Sequence, residues 1–348
     1  MIKQTIDTIS ELLQLSDANF RIYDIGRKVV KISKKEFQQV EQAMMPYPYP
    51  IQGHAMFALV FWQQQNQTPY IWFVKMPLDE RGLLNQGARN HYLAIILEAL
   101  GNDLTQDPSE KQEELLQANP YNFTPSQYKL ATLNAVVKRD LKQVASSFYE
   151  HCQLYMAGKL GFDDWQGVAV QGICDFAARI NEEANQHALV KAIPQLPIQV
   201  FAPLASALEG QTIHIDVISA LLGAGDKAMT EADADNVANV LRALSMHSDN
   251  PTVVSFINKL LASDVGHDLN VLVTICGKNW PILADQDMLA KYLDVVSQSQ
   301  PSDIFAAIFQ DLVALPSVRP QLLQLIRSEQ RSESLSNALA AMFNRTKA

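Results

Sequence analysis

Residues 303–313, DIFAAIFQDLV, contain the clearest helical pattern of this chain. The apolar members are Ile304, Phe305, Ile308, Phe309, Leu312 and Val313. Their spacing of i, i+1, i+4 and i+5 gathers them on one face of an α-helix, and Ser302 or Asp303 can cap its N-terminus. The stretch therefore predicts a helix that buries one side against its neighbours.

Apolar stripes of this kind recur through the C-terminal half of the chain. They begin near Val237, Val253, Leu269, Met288, Ile304 and Leu322, so their starts lie about 16 to 19 residues apart. A helix of that length cannot bury an apolar face alone, so a regular series indicates stacked helical hairpins. The sequence contains no tetratricopeptide or ankyrin consensus. A HEAT-like helical repeat is the preferred prediction, and a plain helical bundle is the alternative.

The first hundred residues have a β-like pattern instead. Two apolar runs, 55–62 and 70–76, are joined by the polar residues 63–68, which predicts a β-hairpin. Both alternate sets of side chains in the first run are apolar, so we expect this strand to be covered on both faces. Shorter strand-like runs lie at 20–25 and 28–32, and helices are predicted at 5–15, 37–44 and 83–100. These elements predict a small α+β domain with an antiparallel sheet of roughly four strands.

Three regions follow from these patterns. Residues 1–100 form the α+β domain, residues 101–123 a polar linker with one short helix, and residues 124–348 an all-helical region. The last region divides further into a helical hairpin at 124–193 and an α-solenoid at 194–348. Single long helices are expected at 124–155 and at 164–184, and a further helix is expected to end at residue 222.

Composition places the chain among globular proteins. Of its 348 residues 48% are hydrophobic and 19% charged, which is typical of a folded protein with two or three domains. The first fifteen residues include Asp7 and Glu11 and do not resemble a secretory signal. The longest apolar run is about a third of a membrane-spanning helix. These features predict a soluble cytoplasmic protein that does not bind membranes.

No motif specific for catalysis, a metal or a nucleotide is present in the sequence. Gly223 and Gly225 follow a helix and lack the third glycine of a dinucleotide loop, so they predict a helix end. Glu231, Asp233 and Asp235 lack the other ligands of a calcium loop and predict a carboxylate-rich helix N-terminus. The cysteines at 152, 174 and 276 form no C-x-x-C pair and are expected to be buried. We assign no catalytic residue, metal or cofactor, and the pattern favours a non-enzymatic protein.

The strongest candidates for a ligand site lie around the end of the hairpin. They are His54, Asp79, Glu80, Arg81, Arg89 and His91. Loops that follow strands often carry functional residues, and a histidine, two carboxylates and an arginine could transfer protons or hold a phosphate. Turn formation and helix capping are the alternative roles of the same side chains.

One run of the chain is strongly basic. It contains Arg21, Arg27, Lys28, Lys31, Lys34 and Lys35, whereas the net charge of the whole chain is −9 and its acidic excess lies after residue 100. Such a run is a solvated face, a surface that docks on the acidic helices of the same chain, or a contact for an acidic partner such as RNA phosphate. Phe20, Tyr23 and Phe37 are the candidates for stacking on RNA bases.

Three segments of the first hundred residues resemble a known family. FRIYDIGR at 20–27, HAMF at 54–57 and YIWFVKMPLDERG at 70–82 are similar to an uncharacterised family of gammaproteobacterial proteins, classed as a domain of unknown function. Its members have a similar length, so the resemblance implies a match over the whole chain. It implies a bacterial cytoplasmic protein and carries over no catalytic residue.

These observations together favour a non-enzymatic interaction scaffold or adaptor that binds a protein partner through its helical array. The alternative is an accessory factor for an RNA process, which contacts phosphate through the basic run at 21–35. A small-molecule site around Asp79, Arg81 and His91 is the third hypothesis.

Overall fold

The computed structural model describes residues 6–63, 66–101, 104, 109–329 and 331–345. Within these ranges a four-stranded antiparallel sheet near the N-terminus precedes a long series of helices, which confirms the predicted change from α+β to all-α structure. The chain forms two compact units, residues 1–126 with 314–316, and residues 127–313 with 317–348. None of the described helices is long and apolar enough to cross a membrane.

The sheet of the first unit has the strand order β2-β1-β3-β4. The elements of this unit are α1 (Ile9–Leu15), β1 (Ala18–Asp24), β2 (Val30–Ile32), α2 (Lys34–Glu41), β3 (His54–Gln63), β4 (Asn66–Pro77), α3 (Gln86–Leu100) and α4 (Glu110–Gln117). Local sequence explains where the helices begin. The Ser33 hydroxyl accepts the main-chain N–H of Glu36 at the start of α2, and Asn85 caps α3 in the same way.

The β3–β4 hairpin is longer than the sequence predicted. β4 begins at Asn66, inside the polar stretch 63–68 that was expected to form the loop, and residues 64 and 65 lie outside the described part of the chain. Strand pairing uses main-chain groups, so polar residues can continue a ladder where their side chains face solvent, as that of Thr68 does.

One face of the sheet packs on helices α1, α2 and α3. Phe57 and Phe61 of β3 lie in one core with Leu12, Phe37 and Leu93 of the three helices. Full burial of a Leu or Phe side chain contributes about 1.5–3 kcal/mol to folding, so this core holds the unit together. Side chains on the opposite face of β3, Ala58 and Val60, are also fully buried. The expectation that β3 is covered on both faces is therefore confirmed.

The second unit is built from helices. They are α5 (Gln127–Asp140), α6 (Tyr149–Met156), α7 (Val170–Ala178), α8 (Glu183–Ala192), α9 (Ile198–Leu208), α10 (Ile215–Thr230), α11 (Ala234–Ala243), α12 (Pro251–Leu260), α13 (Leu269–Lys278), α14 (Gln286–Ser299), α15 (Ser302–Ala314), α16 (Arg319–Arg327) and α17 (Glu333–Arg345). The 303–313 stripe thus forms a helix, with Phe305, Ile308, Phe309 and Leu312 buried as expected.

Helices α5 to α13 pack in two rows. α7 packs against α5 and α9, and α11 packs against α9 and α13, so alternate helices form the first row. α8 packs against α6 and α10, and α10 packs against α12, which gives the second row. The pairs α6–α7 and α10–α11 join the rows. Most of these helices therefore pack against the next helix but one along the chain.

An ion-pair cluster links three helices of the first row. The carboxylate of Glu209, the residue after α9, accepts a hydrogen bond from Arg242 Nη1 at 2.9 Å and from Lys278 Nζ at 2.5 Å. Arg242 lies in the last turn of α11, and Lys278 is the last residue of α13. Glu209 is 5% exposed, so these two cations compensate a charge that is almost removed from water.

Two long helices predicted from the sequence were wrong. The stretch 124–155 forms α5 and α6 separately, because the chain turns after Asp140 with a φ of 56° at Lys142. The stretch 164–184 contains a short 3₁₀ helix, Trp165–Gly167, before α7, and α8 begins only at Glu183. Polar, turn-forming residues at these points interrupt the helical spacing of apolar residues, which continues in the helices before and after each turn.

The prediction that Gly223 and Gly225 end a helix was also wrong. Both lie inside α10, which continues to Thr230. A Cβ atom at Gly225 would lie 2.7 Å from Phe256 Cζ of α12, so this glycine allows close packing of two helices. The expected helix N-terminus at Asp233 is confirmed, because its side chain accepts the N–H of Asn236.

Candidate functional site

Asp79 of the predicted ligand group closes the turn after β4. Its Oδ1 atom accepts the main-chain N–H of Leu83 at 2.8 Å and that of Arg81 at 2.9 Å. The Arg81 guanidinium lies 3.4 Å from Oδ2. The hydrogen bond from Leu83, followed by the contacts with Arg81, lowers the pKa of the carboxyl group. The carboxylate stays ionised and shapes the turn.

Arg89 supports the end of another helix. Its side chain is buried on α3, and Nη1 donates to the main-chain carbonyl oxygen of Glu41 at 2.5 Å. Nε and Nη2 both donate to Asn90 Oδ1. A buried guanidinium with these partners satisfies a helix C-terminus, as basic side chains commonly do. Most of the hydrogen-bonding capacity of Arg89 is used inside the fold.

The two histidines of the group have separate partners. His91 Nδ1 lies 3.2 Å from the Tyr121 hydroxyl, and His54 Nδ1 lies 2.7 Å from the Gln52 carbonyl oxygen. Glu80 is exposed next to Asp79. Among His54, Asp79, Glu80, Arg81, Arg89 and His91, the described contacts join only Asp79 with Arg81. A ligand site that uses all six residues stays a prediction.

Glu41 is a residue of unusual chemistry that the sequence did not indicate. It is fully buried at the end of α2, and Oε2 accepts the main-chain N–H groups of Ile9 and Ser10 at the start of α1. Burial raises the pKa of the carboxyl group to about 7, although these hydrogen bonds act in the opposite direction. A glutamate at a helix end normally faces solvent, so no sequence pattern distinguishes this one.

The basic run divides into a buried and an accessible part. Arg27 and Lys28 are 4% and 3% exposed, in a turn organised by the Asp24 carboxylate. Asp24 accepts the main-chain N–H groups of both residues and the hydroxyl of Tyr47, and Arg27 Nε donates to the Pro50 carbonyl oxygen. Arg27 and Lys28 were predicted as part of a basic contact surface, but their side chains are almost fully buried.

Three other cations of the run meet in a pocket of the first unit. Arg21, Lys31 and Lys34 line a cavity of about 420 Å³, together with Trp62. The Arg21 guanidinium carbon lies 5.5 Å from the centroid of the Trp62 ring, and Lys34 Nζ lies 3.9 Å from the centroid of the Phe20 ring. Lys35, the next residue of α2, is exposed and does not line this cavity.

The aromatic residues expected to stack on RNA bases lie inside the fold. Tyr23 and Phe37 are fully buried, and Phe20 is 2% exposed. They belong to strands and helices that pack against each other, so their rings contribute to folding instead. Trp62, which no sequence pattern indicated, is a half-buried aromatic residue next to the cations. The antiparallel pairing of β1 with β3 brings it opposite Asn19.

Comparison with known proteins identifies a family. No curated protein and no solved structure matches the chain. The segments at 20–27, 54–57 and 70–82 resemble an uncharacterised family. This resemblance predicted a match over the whole length of the chain. The model of a family described as "Protein of unknown function (DUF3549)" matches residues 4–343, which confirms that prediction, and the chain belongs to this family.

Proposed function

We propose that this protein is a non-enzymatic interaction scaffold whose helices α5 to α13 form a HEAT-like α-solenoid that binds a protein partner. The observation that carries the proposal is the packing of alternate helices in two rows. Repeat proteins of this architecture present long surfaces and commonly use them to bind other macromolecules. The Glu209 cluster supports the proposal further, since it fixes three successive helices of one row relative to each other.

Helix α13 offers an accessible apolar surface within this array. Leu269 and Val273 are 40% and 49% exposed and lie four residues apart, so they share one face of the helix. Single exposed apolar residues are common on soluble proteins, whereas a neighbouring pair on a rigid helix provides an anchor for a partner. We place the α13 pair in the proposed contact surface.

The first test is affinity capture with the tagged full-length chain at low and high salt, with identification of both proteins and RNA. A captured protein is then purified and titrated against the chain by calorimetry. The proposal predicts saturable binding with a defined stoichiometry. Leu269→Asp combined with Val273→Asp is expected to weaken binding at least about tenfold, because each anchor residue of an interface contributes 1 kcal/mol or more.

Matched variants separate the three hypotheses. Asp79→Ala combined with His91→Ala leaves partner binding unchanged if the helical array is the contact surface. Lys31→Glu combined with Lys34→Glu reduces recovery of RNA, in a salt-dependent way, if the RNA alternative is correct. Binding that depends on neither α13 nor any other part of the second unit would contradict the scaffold proposal.

A further inference from the structure

A cavity lies beside the start of β1, at the edge of this strand. β2 pairs with residues 22–24 of β1, so among the described strands this pairing does not extend to the start of β1. After β2 the chain turns at Ser33 into α2. The space between this turn and the start of β1 is the cavity of about 420 Å³ described above, which we call the basic pocket. Its size is within the range of small-molecule sites, about 300–1,000 Å³.

Part of the charge of the basic pocket has no ion-pair partner among the residues that the structure describes. Arg21, Lys31 and Lys34 line it, and Lys31 and Lys34 form no ion pair with any described residue. Burial, and then repulsion by the charges of Lys31 and Arg21, lowers the pKa of Lys34. A cluster of like charges is unfavourable in the absence of an anion, so a bound anion would relieve this repulsion.

Aromatic rings hold two of these cations in position. The Phe20 ring lies under Lys34 Nζ, and the Trp62 ring lies next to the Arg21 guanidinium. Cation–π contacts of this kind contribute about 0.5–2 kcal/mol, and the contact at Lys34 does not occupy the N–H donors of its ammonium group. The cations are thus arranged before a ligand arrives, which lowers the entropic cost of binding.

Polar groups complete the lining. Ser33 contributes a hydroxyl group whose oxygen accepts the N–H of Glu36, so its proton can be donated to a ligand. Asn19, whose side chain carries an amide group, also lines the pocket. Three cations and two polar donors match a doubly charged phosphate group, which accepts several hydrogen bonds. The volume exceeds that of a phosphate group alone, and the Trp62 ring offers a surface for a planar or apolar part of the ligand.

We propose that the basic pocket binds a small phosphomonoester, with the phosphate between Arg21, Lys31 and Lys34 and the organic part against Trp62. The ligand is of mononucleotide size. A polynucleotide is disfavoured because the basic surface is interrupted, since Arg27 and Lys28 are buried. This inference is independent of the contact surface proposed for the helical array.

Calorimetric titration of the full-length chain tests the proposal. The probes are inorganic phosphate, adenosine and uridine 5′-monophosphate, unphosphorylated adenosine, and a single-stranded RNA oligomer. The expected result is saturable binding of a monophosphate with a Kd below about 1 mM, weaker binding of inorganic phosphate and no binding of adenosine. Lys31→Ala combined with Lys34→Ala should weaken monophosphate binding at least about tenfold.

Two controls make the result specific. Lys35→Ala removes an exposed lysine next to the pocket and is expected to leave the affinity unchanged. Trp62→Ala should weaken binding of the monophosphates more than that of inorganic phosphate. The proposal is overturned if no phosphate probe binds saturably, if Lys35→Ala has the same effect as the double variant, or if only the RNA oligomer binds. Circular dichroism spectra confirm that each variant is folded.

Discussion

The Glu41 carboxylate accepts the main-chain N–H of Ile9 at 2.9 Å, although 32 positions separate the two residues in sequence. The end of α2 therefore caps the start of α1. Helix N-termini are usually capped by a residue directly before the helix, and Thr8 also does so here. The long-range contact joins the first helix of the chain to the rest of the first unit.

Glu41 predicts a pH dependence of stability. Burial raises its pKa from 4.5 to about 7 in the folded protein, so between these values the folded state binds more protons than the unfolded state. Stability from this group therefore falls as the pH rises from about 4.5 to about 7, by at most about 3 kcal/mol. Glu41→Gln removes the charge and keeps an oxygen acceptor.

Urea denaturation at pH 5 and pH 8 measures the effect. Between these two pH values, we expect the free energy of unfolding of Glu41→Gln to change by about 1–3 kcal/mol less than that of the wild type. The exposed Glu80→Gln variant is the control, because it changes the net charge equally. If the free energy of unfolding of Glu41→Gln changes with pH as much as that of the wild type, the pKa of Glu41 is not raised in the folded protein.

Gly225 and Gly223 of α10 provide a matched pair of substitutions. A Cβ atom at Gly225 meets Phe256 Cζ at 2.7 Å, whereas one at Gly223 meets no atom within 4 Å. Gly225→Ala is expected to destabilise the protein by about 1–3 kcal/mol through overpacking. Gly223→Ala should stabilise it by about 0.5–1 kcal/mol, because alanine favours a helix. Chemical denaturation measures both, and equal effects would contradict the close packing of α10 on α12.

The Glu209 cluster should contribute more to stability than an exposed ion pair. Glu209→Ala removes the buried carboxylate that Arg242 and Lys278 both contact, and we expect a loss of about 2–4 kcal/mol. Asp226→Ala removes an exposed pair in which Lys259 Nζ lies 2.7 Å from the carboxylate, and we expect a loss of at most about 1 kcal/mol. Urea denaturation compares the two variants. A smaller loss for Glu209→Ala would remove the proposed role of this residue in fixing the row of helices.

The buried cysteines should react slowly in the native protein. Cys152, Cys174 and Cys276 are all buried, which confirms the sequence-based prediction. Burial raises the pKa of Cys152 to about 12 and that of Cys174 to about 11, so both are protonated at neutral pH. Labelling with iodoacetamide, followed by mass spectrometry, should modify these two positions in urea and leave them unmodified without it. Rapid native labelling of either one would indicate local opening.

The sequence predicted the elements whose structure depends on local patterns. The stripe at 303–313 was expected to form a helix and forms α15, and the hairpin of β3 and β4 was recognised from two apolar runs. Asp233 was expected to lie at a helix N-terminus and caps α11 there. In each case neighbouring residues contain the information, as apolar periodicity or as a capping residue at a fixed distance.

Features that depend on tertiary packing were not predictable in this way. The sequence around Gly225 resembles the end of a helix. Only the packing of Phe256, from another helix, explains why a glycine lies inside α10. Arg27 and Lys28 belong to the same basic run as Lys31, and only the turn around Asp24 removes them from the surface. The basic pocket needs the pairing of β1 with β3 to bring Trp62 near the cations. Such pairings join distant parts of the chain.

Site-specific photo-crosslinking tests the central proposal, that the helical array is the binding surface, most directly. A photoreactive amino acid replaces Val273 on α13 or Ile215 on α10, and Met44, which is 72% exposed in the first unit, is the control position. If the array is the binding surface, a crosslink to one partner protein forms from Val273, from Ile215 or from both, and none forms from Met44. Crosslinks from Met44 alone, or none from either array position in the presence of a partner that binds the chain, would contradict it.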